Sequence, residues 1–181
     1  MDEKSNYLVL DEERNAVDYL MRSIEFFERI DENRLYLKWF AIAFHGAIYT
    51  FILLVLNKFN SEQIYKGNKI KTHSLDRDLI SFLSAFALLK KVDFVGKEPF
   101  TFTQQHDACM TELNNKIRNQ MMHFRPVVWA IEPWYPARAC YPLISILKLC
   151  TENYQFIHNE KTTILSSLDK LEELLNSRRE E

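Results

Sequence analysis

The sequence predicts an all-α protein, an up-and-down four-helix-type bundle with one or two additional C-terminal helices. Three observations carry this. Apolar residues recur at spacings of three and four along several segments, which is the period of a helix face. Only 3 glycines and 5 prolines occur in 181 residues, too few turn formers for an all-β sandwich or a phosphate-loop α/β fold. The links between periodic segments are short, so consecutive helices are expected as antiparallel neighbours. Hydrophobic residues make up 47% and charged residues 27%, which excludes disorder and supplies a core. One helical domain is expected over 1–181, with its core at about 12–157 and a C-terminal helix at about 161–178.

The first helix is expected from about Glu12 to Ile30, where Val17, Leu20, Met21, Ile24, Phe27 and Ile30 share a face. Asp31 or Asn33 is placed to cap the second, from about Leu35 to Lys58. Its centre, WFAIAFHGAIYTFILLVL (Trp39 to Leu56), carries no formal charge and is just long enough to span a bilayer. His45, Gly46, Tyr49 and Thr50 in its middle argue against lipid contact. A helix apolar on all sides is also the central member of a bundle. That role is the expectation, with no membrane span, and His45 is read as a core histidine bonded to a neighbour.

QIYK-GN-KIKT resembles a small hairpin about Gly67-Asn68. Ser74 is expected to cap a third helix, with Asp76 and Asp78 in its first turn and its end near Lys91. That helix would bury Leu79, Phe82, Leu83, Phe86 and Leu89. A connection from Val92 to Thr103 contains Gly96 and Pro99, with FTFT briefly extended. Thr103 caps a fourth helix ending before Pro126. After a Pro- and Trp-rich link, Pro126 to Pro142, two further helices are expected at about Leu143 to Ile157 and Thr163 to Arg178. The last has Ile164, Leu165, Leu168, Leu171 and Leu175 on its apolar face.

The formal net charge of −2 excludes a polycationic nucleic-acid tail. Neither G-x-G-x-x-G nor G-x-x-x-x-G-K occurs, which removes both common nucleotide motifs. The N-terminal MDEKSNYLVLDEER has no apolar segment, so no secretory signal is expected. Three cysteines, at 109, 140 and 150, fit neither a disulfide framework nor a zinc site, and a reducing cytoplasm is the plain reading. No cofactor and no metal is expected. His106 and Cys109 share one helical turn, with Asp107 between them, but lack further ligands at a matching spacing.

The fourth helix carries the chemistry. Met110, Leu113, Ile117, Met121 and Phe124 form its core stripe. At 100° per residue, Glu112, Asn115, Asn119 and His123 fall together on the other side, with Arg118 at the edge of that strip. Between Leu113 and Arg138 the one acidic residue is Glu132, against Lys116, Arg118, Arg125 and Arg138, so the local field is positive. Met122 faces away from the core stripe. It is either an ordinary exposed methionine or a residue covered by a second subunit.

IRNQMMHF, residues 117–124, has the form Arg, a polar residue, three variable residues, then His. This resembles the signature of the HEPN superfamily (higher eukaryotes and prokaryotes nucleotide-binding), an Arg separated by four to six positions from a His. LNNKIRNQMMHFRPVVW looks like the branch in which an aromatic, a Pro and a Trp follow the His. The resemblance implies a metal-independent endoribonuclease that cleaves RNA through its own 2′-hydroxyl, with Arg118, Asn119 and His123 as catalytic residues. It also implies a homodimer, because in the family the motif helices of two subunits form a composite site. Family members often act as toxins paired with an antitoxin, or in phage and stress defence.

The residue types suit that chemistry. Histidine as a residue type titrates at about 6.5, which makes His123 the candidate base or acid. Arg118 stays charged and grips two phosphate oxygens at once. Asn119 lies one turn before His123 and can hold its ring or the phosphate. Lys116 and Arg125 extend the positive ground for substrate binding. Arg118 and His123 are about 140° apart on one helix, so they converge poorly within a single chain. The alternatives are an inactive HEPN-like module that binds RNA, a nucleotide or a protein, and a plain helical scaffold. Trp129, Trp134 and Tyr135 either stack on RNA bases or, as is expected, pack the link onto the bundle.

Overall fold

A computed structural model describes residues 10–67, 78–94, 100–123, 128, 130–132 and 134–178. It is an all-α helical bundle. Among the described residues there is no strand, and one isolated antiparallel bridge joins Tyr65 to Leu79.

Helix α1 spans Glu12–Glu28, and the Asp11 side chain caps it by accepting the Arg14 N–H. Glu12 and Glu13 in its first turn complement the helix dipole. Helix α2 spans Tyr36–Phe59 and buries 13 residues, including Phe40, Phe44, Phe51 and Ile52. Asn33 accepts from the Leu35 N–H at 2.9 Å just before it. By length and composition α2 could cross a membrane, yet 61% of its most apolar window is buried inside the protein. Its partners are α1, helix α3 (Phe82–Leu89), helix α7 (Ile144–Asn153) and the motif helix, so it serves as the bundle's core helix.

The motif helix is continuous but not uniform. Helix α4, Gln104–Glu112, is capped by Thr103 in a capping box that uses His106. A π-helical segment follows at Leu113–Arg118, and then the short helix α5, Asn119–Met122. Helix α6 spans Tyr135–Cys140 and a 3₁₀ turn covers Tyr141–Leu143 ahead of α7. Helix α8 spans Lys161–Arg178 and packs on α1, α6 and α7.

Several expectations need correction. The third helix is capped by Ser81, not Ser74, so Asp78 and Leu79 precede it and Leu79 is exposed rather than buried. The physical reason is the bridge: Lys66 N–H bonds the Asp78 carbonyl and Ile80 N–H bonds the Ile64 carbonyl, which holds 78–80 extended. Ser74, Asp76 and the second half of the expected hairpin lie outside the described residues, and Tyr65 pairs with Leu79. Gly67 has φ +82, which suits the expected turn there. Within the Pro-rich link, Tyr135–Cys140 is helical, with Pro136 tolerated in the first turn. The seventh helix ends at Asn153, and Ile157 is exposed.

One contiguous apolar cluster runs from Ala16 in α1 to Leu175 in α8. Phe27, Phe40 and Phe44 pack ring to ring, at 4.8 and 5.7 Å between centroids. Trp134 is buried between the Arg34 and Arg178 guanidiniums, 4.9 and 4.7 Å from its ring. That is packing, as the sequence suggested for this tryptophan. Trp129 lies outside the described residues.

Gly46 sets the distance between α1 and α2. A Cβ there would lie 2.6 Å from Cδ1 of Tyr19 and 2.9 Å from its Cγ. The base of the ring cannot swing away as the end of a flexible chain does. Gly46→Ala is therefore expected to lower stability by about 1–3 kcal/mol through overpacking, despite alanine's better helix propensity. Urea unfolding checks it, and a more stable Gly46→Ala protein contradicts the close packing.

A polar cavity against the motif helix

Leu113 and Ile117 are fully buried, as the core stripe requires. The rest of the helix departs from a 3.6-residue period. The Asn119 N–H bonds the Asn114 carbonyl, five residues back, which marks the wide turn. This turn breaks the regular spacing on which the expected strip of Glu112, Asn115, Asn119 and His123 depended. Glu112 accepts from the Tyr135 hydroxyl and pairs with Lys116 at 3.4 Å. Asn115 is exposed and accepts from the Asn114 amide at 2.7 Å. Asn119 accepts from the Arg118 guanidinium at 2.9 Å. His123 is the C-cap residue, exposed, with φ −100 and ψ 129.

Arg118 lines a cavity of about 490 Å³ enclosed by α1, α2, the start of α3 and the π segment. His45, Tyr49 and Asn114 line it too, as do Tyr19 and Phe82. His123 is not among its lining residues, so the cavity of one chain brings Arg118 to His45 and not to His123. Met122 and Leu79 stand at the same cavity and are 48% and 41% exposed, an apolar rim open to solvent.

The His45 ring is held on two sides. Its Nε2 lies 3.1 Å from Asn114 Oδ1, and its plane stacks on Phe82 at 4.1 Å. Asn114 donates its own amide to Asn115, which leaves its oxygen to accept from His45. Burial lowers the His45 pKa, Asn114 opposes this, and the Arg118 charge lowers it further, to about 4. At neutral pH the imidazole is thus uncharged with its proton on Nε2, which makes Nδ1 an acceptor. The expectation that His45 bonds a neighbour holds, but that neighbour lies on the motif helix. Tyr49 donates to the Ile80 carbonyl, which ties the entry of α3 to α2.

Arg118 stands apart electrostatically. Among the described arginines, Arg14, Arg22, Arg29, Arg34, Arg138 and Arg178 each pair with a carboxylate. Arg118 alone does not, although it is half-buried, and among the described residues it is the one charged group lining its cavity. Its described hydrogen bond goes to the Asn119 amide oxygen, so no described carboxylate neutralises its charge.

The other candidates resolve differently. Lys116 is exposed and borders a second cavity of about 350 Å³ with Glu132 and Tyr135, where Arg138 pairs with Glu132 and the charges are balanced. Arg125 lies outside the described residues. His106 is engaged, with Nδ1 accepting the Thr103 N–H at 3.0 Å and Nε2 3.1 Å from Ser145 Oγ. Among the described residues no group of three His, Cys, Asp or Glu side chains could hold a metal ion.

Asn114, Tyr19 and Tyr49 were missed by sequence reasoning. The interrupting polar residues His45 and Tyr49, one turn apart on an otherwise apolar helix, were the available signal. Asn114 gave none, because its place depends on the wide turn. Comparison with known proteins finds no family model, no curated protein and no solved structure that matches this chain.

Proposed function

We propose that this protein is a metal-independent endoribonuclease of HEPN type, cleaving RNA at a composite site between two copies of the chain. The observation that carries the reading is Arg118: an unpaired, half-buried guanidinium next to Asn119 on the helix that ends at His123. Cleavage needs a cation at the phosphate and a proton carrier near the 2′-hydroxyl. Arg118 holds the phosphate. An imidazole of His123 takes the 2′-hydroxyl proton as the O2′–P bond forms and the P–O5′ bond breaks. A protonated imidazole returns a proton to O5′, leaving a 2′,3′-cyclic phosphate and a 5′-hydroxyl. The exposed pair Met122 and Leu79 beside Arg118 favours cover by a second copy, whose His123 would then approach. The three cysteines are free and buried, which suits the cytoplasm. A cognate antitoxin protein is a compatible partner.

Purified protein in EDTA is expected to cut generic RNA to cyclic-phosphate ends. His123→Ala is expected to lower the rate by about 10²–10⁴-fold. Undiminished cleavage by that variant sinks the assignment. A second reading, an inactive module that binds RNA or a nucleotide, is favoured by the absence of His123 from the cavity that Arg118 lines. It predicts no cleavage by the wild type, together with RNA binding that weakens steeply with salt.

A further inference from the structure

We infer that His45 is a positioning residue: by donating to Asn114 it pins the π turn of the motif helix, and the pinned turn holds Arg118 at the cavity. The bearing of this on RNA cleavage rests on the nuclease reading, whereas the placement of Arg118 does not.

A π turn is rare and needs a reason to stand against ordinary α-helical bonding. Leu113 and Ile117 of this segment are fully buried, but apolar packing is non-directional and does not by itself fix the rotation of a helix about its axis. The directional tie is Asn114. Among the described residues, the only side-chain hydrogen bond from 113–118 to another helix is the one between Asn114 and His45, at 3.1 Å. Lys116 and Arg118 bond within the motif helix, to Glu112 and Asn119. The far end of the tie is firm. His45 sits midway along the core helix α2 with its ring stacked on Phe82 at 4.1 Å.

Asn114 and Arg118 are four residues apart and line the same cavity, so the rotation that seats one seats the other. Without the bond, a turn tightened to α shifts the register by one residue and rotates the helix beyond it by about 100°, which carries Arg118 off the cavity. Burial keeps the imidazole uncharged at neutral pH, so it acts on Arg118 by geometry and not by charge.

Phenylglyoxal modification of the whole protein, read site by site by mass spectrometry, measures the exposure of Arg118, with the other arginines as internal controls. Arg118 is expected to react about fivefold faster in His45→Leu than in the wild type, because the guanidinium spends more time open to solvent. His45→Gln keeps an N–H at the reach of Nε2 and is expected to restore the wild-type rate. Asn114→Ala removes the same bond from a half-buried position, so it keeps the test decisive where His45→Leu disturbs the core. The double variant His45→Leu with Asn114→Ala is expected to react no faster than either single one. Unchanged Arg118 reactivity in either single variant overturns the proposal, and so does equal reactivity of His45→Gln and His45→Leu.

In RNA cleavage, His45→Leu is expected to lower kcat/KM by about 10²-fold, the effect of a misplacement of about 1 Å, and His45→Gln to stay close to the wild type. A wild type that never cuts sinks the nuclease reading and leaves the reactivity test standing. A wild type that cuts, with Arg118 unmoved in both single variants, sinks this inference alone.

Discussion

Arg118→Ala is expected to abolish RNA cleavage, by about 10²–10³-fold or more, while leaving the urea midpoint nearly unchanged. The two halves come from the same fact. Among the described residues the guanidinium pairs with no carboxylate, so removing it strands no described charge, and its one described hydrogen bond is to the neighbouring Asn119. Under the proposed function, a residue that contributes little to the fold, yet is held half-buried and charged, acts on what enters the cavity. Loss of the Arg118 charge should also let the His45 pKa rise, since that charge is one of the causes lowering it. A large fall in stability with preserved cleavage would reverse the assignment and make Arg118 a structural residue.

Glu13→Ala is expected to act the opposite way, with a loss of about 2–3 kcal/mol in stability. The Glu13 carboxylate is buried near the start of α1 and accepts from the Ile157 and His158 backbone N–H groups, at 2.7 Å each, and from the Asn159 amide at 3.1 Å. It thereby fixes the turn between α7 and α8 onto α1. Alanine leaves those donors without their acceptor. Burial alone would raise the Glu13 pKa, but the backbone and amide bonds outweigh it and hold the carboxyl below its ordinary value. A carboxyl with a lowered folded pKa adds stability that is fully present above its unfolded pKa, about 4.3, and disappears as pH falls through the folded value. Wild type should therefore lose stability in acid below about pH 4.3 more steeply than Glu13→Ala. Urea midpoints at pH 7 and pH 3 test this, and parallel pH profiles for the two proteins contradict it.

The helices were legible because burial and periodicity agree along them. α1, α2 and α8 lie within a few residues of their expected ends, and Thr103 caps the fourth helix as its hydroxyl suggested. The start of α3 was not legible. Ser74 and Ser81 are equally good caps in sequence, and the choice was made by the backbone pairing of 64–66 with 78–80, a tertiary event. The candidate site was half legible. Arg118, Asn119 and His123 stand out by spacing, but the grouping of Arg118 with His45 and Asn114 depends on a turn of unusual width. No local residue pattern in LNNKIR announces that turn.

That wide turn leaves the helix with one residue of slack. An α-helical path through the same stretch would need one residue fewer, so a single deletion within 113–118 could be absorbed by tightening the coil. Leu113 and everything before it would keep their seats, as would α5 beyond. Deletion one turn earlier has no such reserve and would rotate the rest of the helix by about 100°, driving Ile117 out of the core. Tolerance to shortening should thus be confined to this one stretch of the helix.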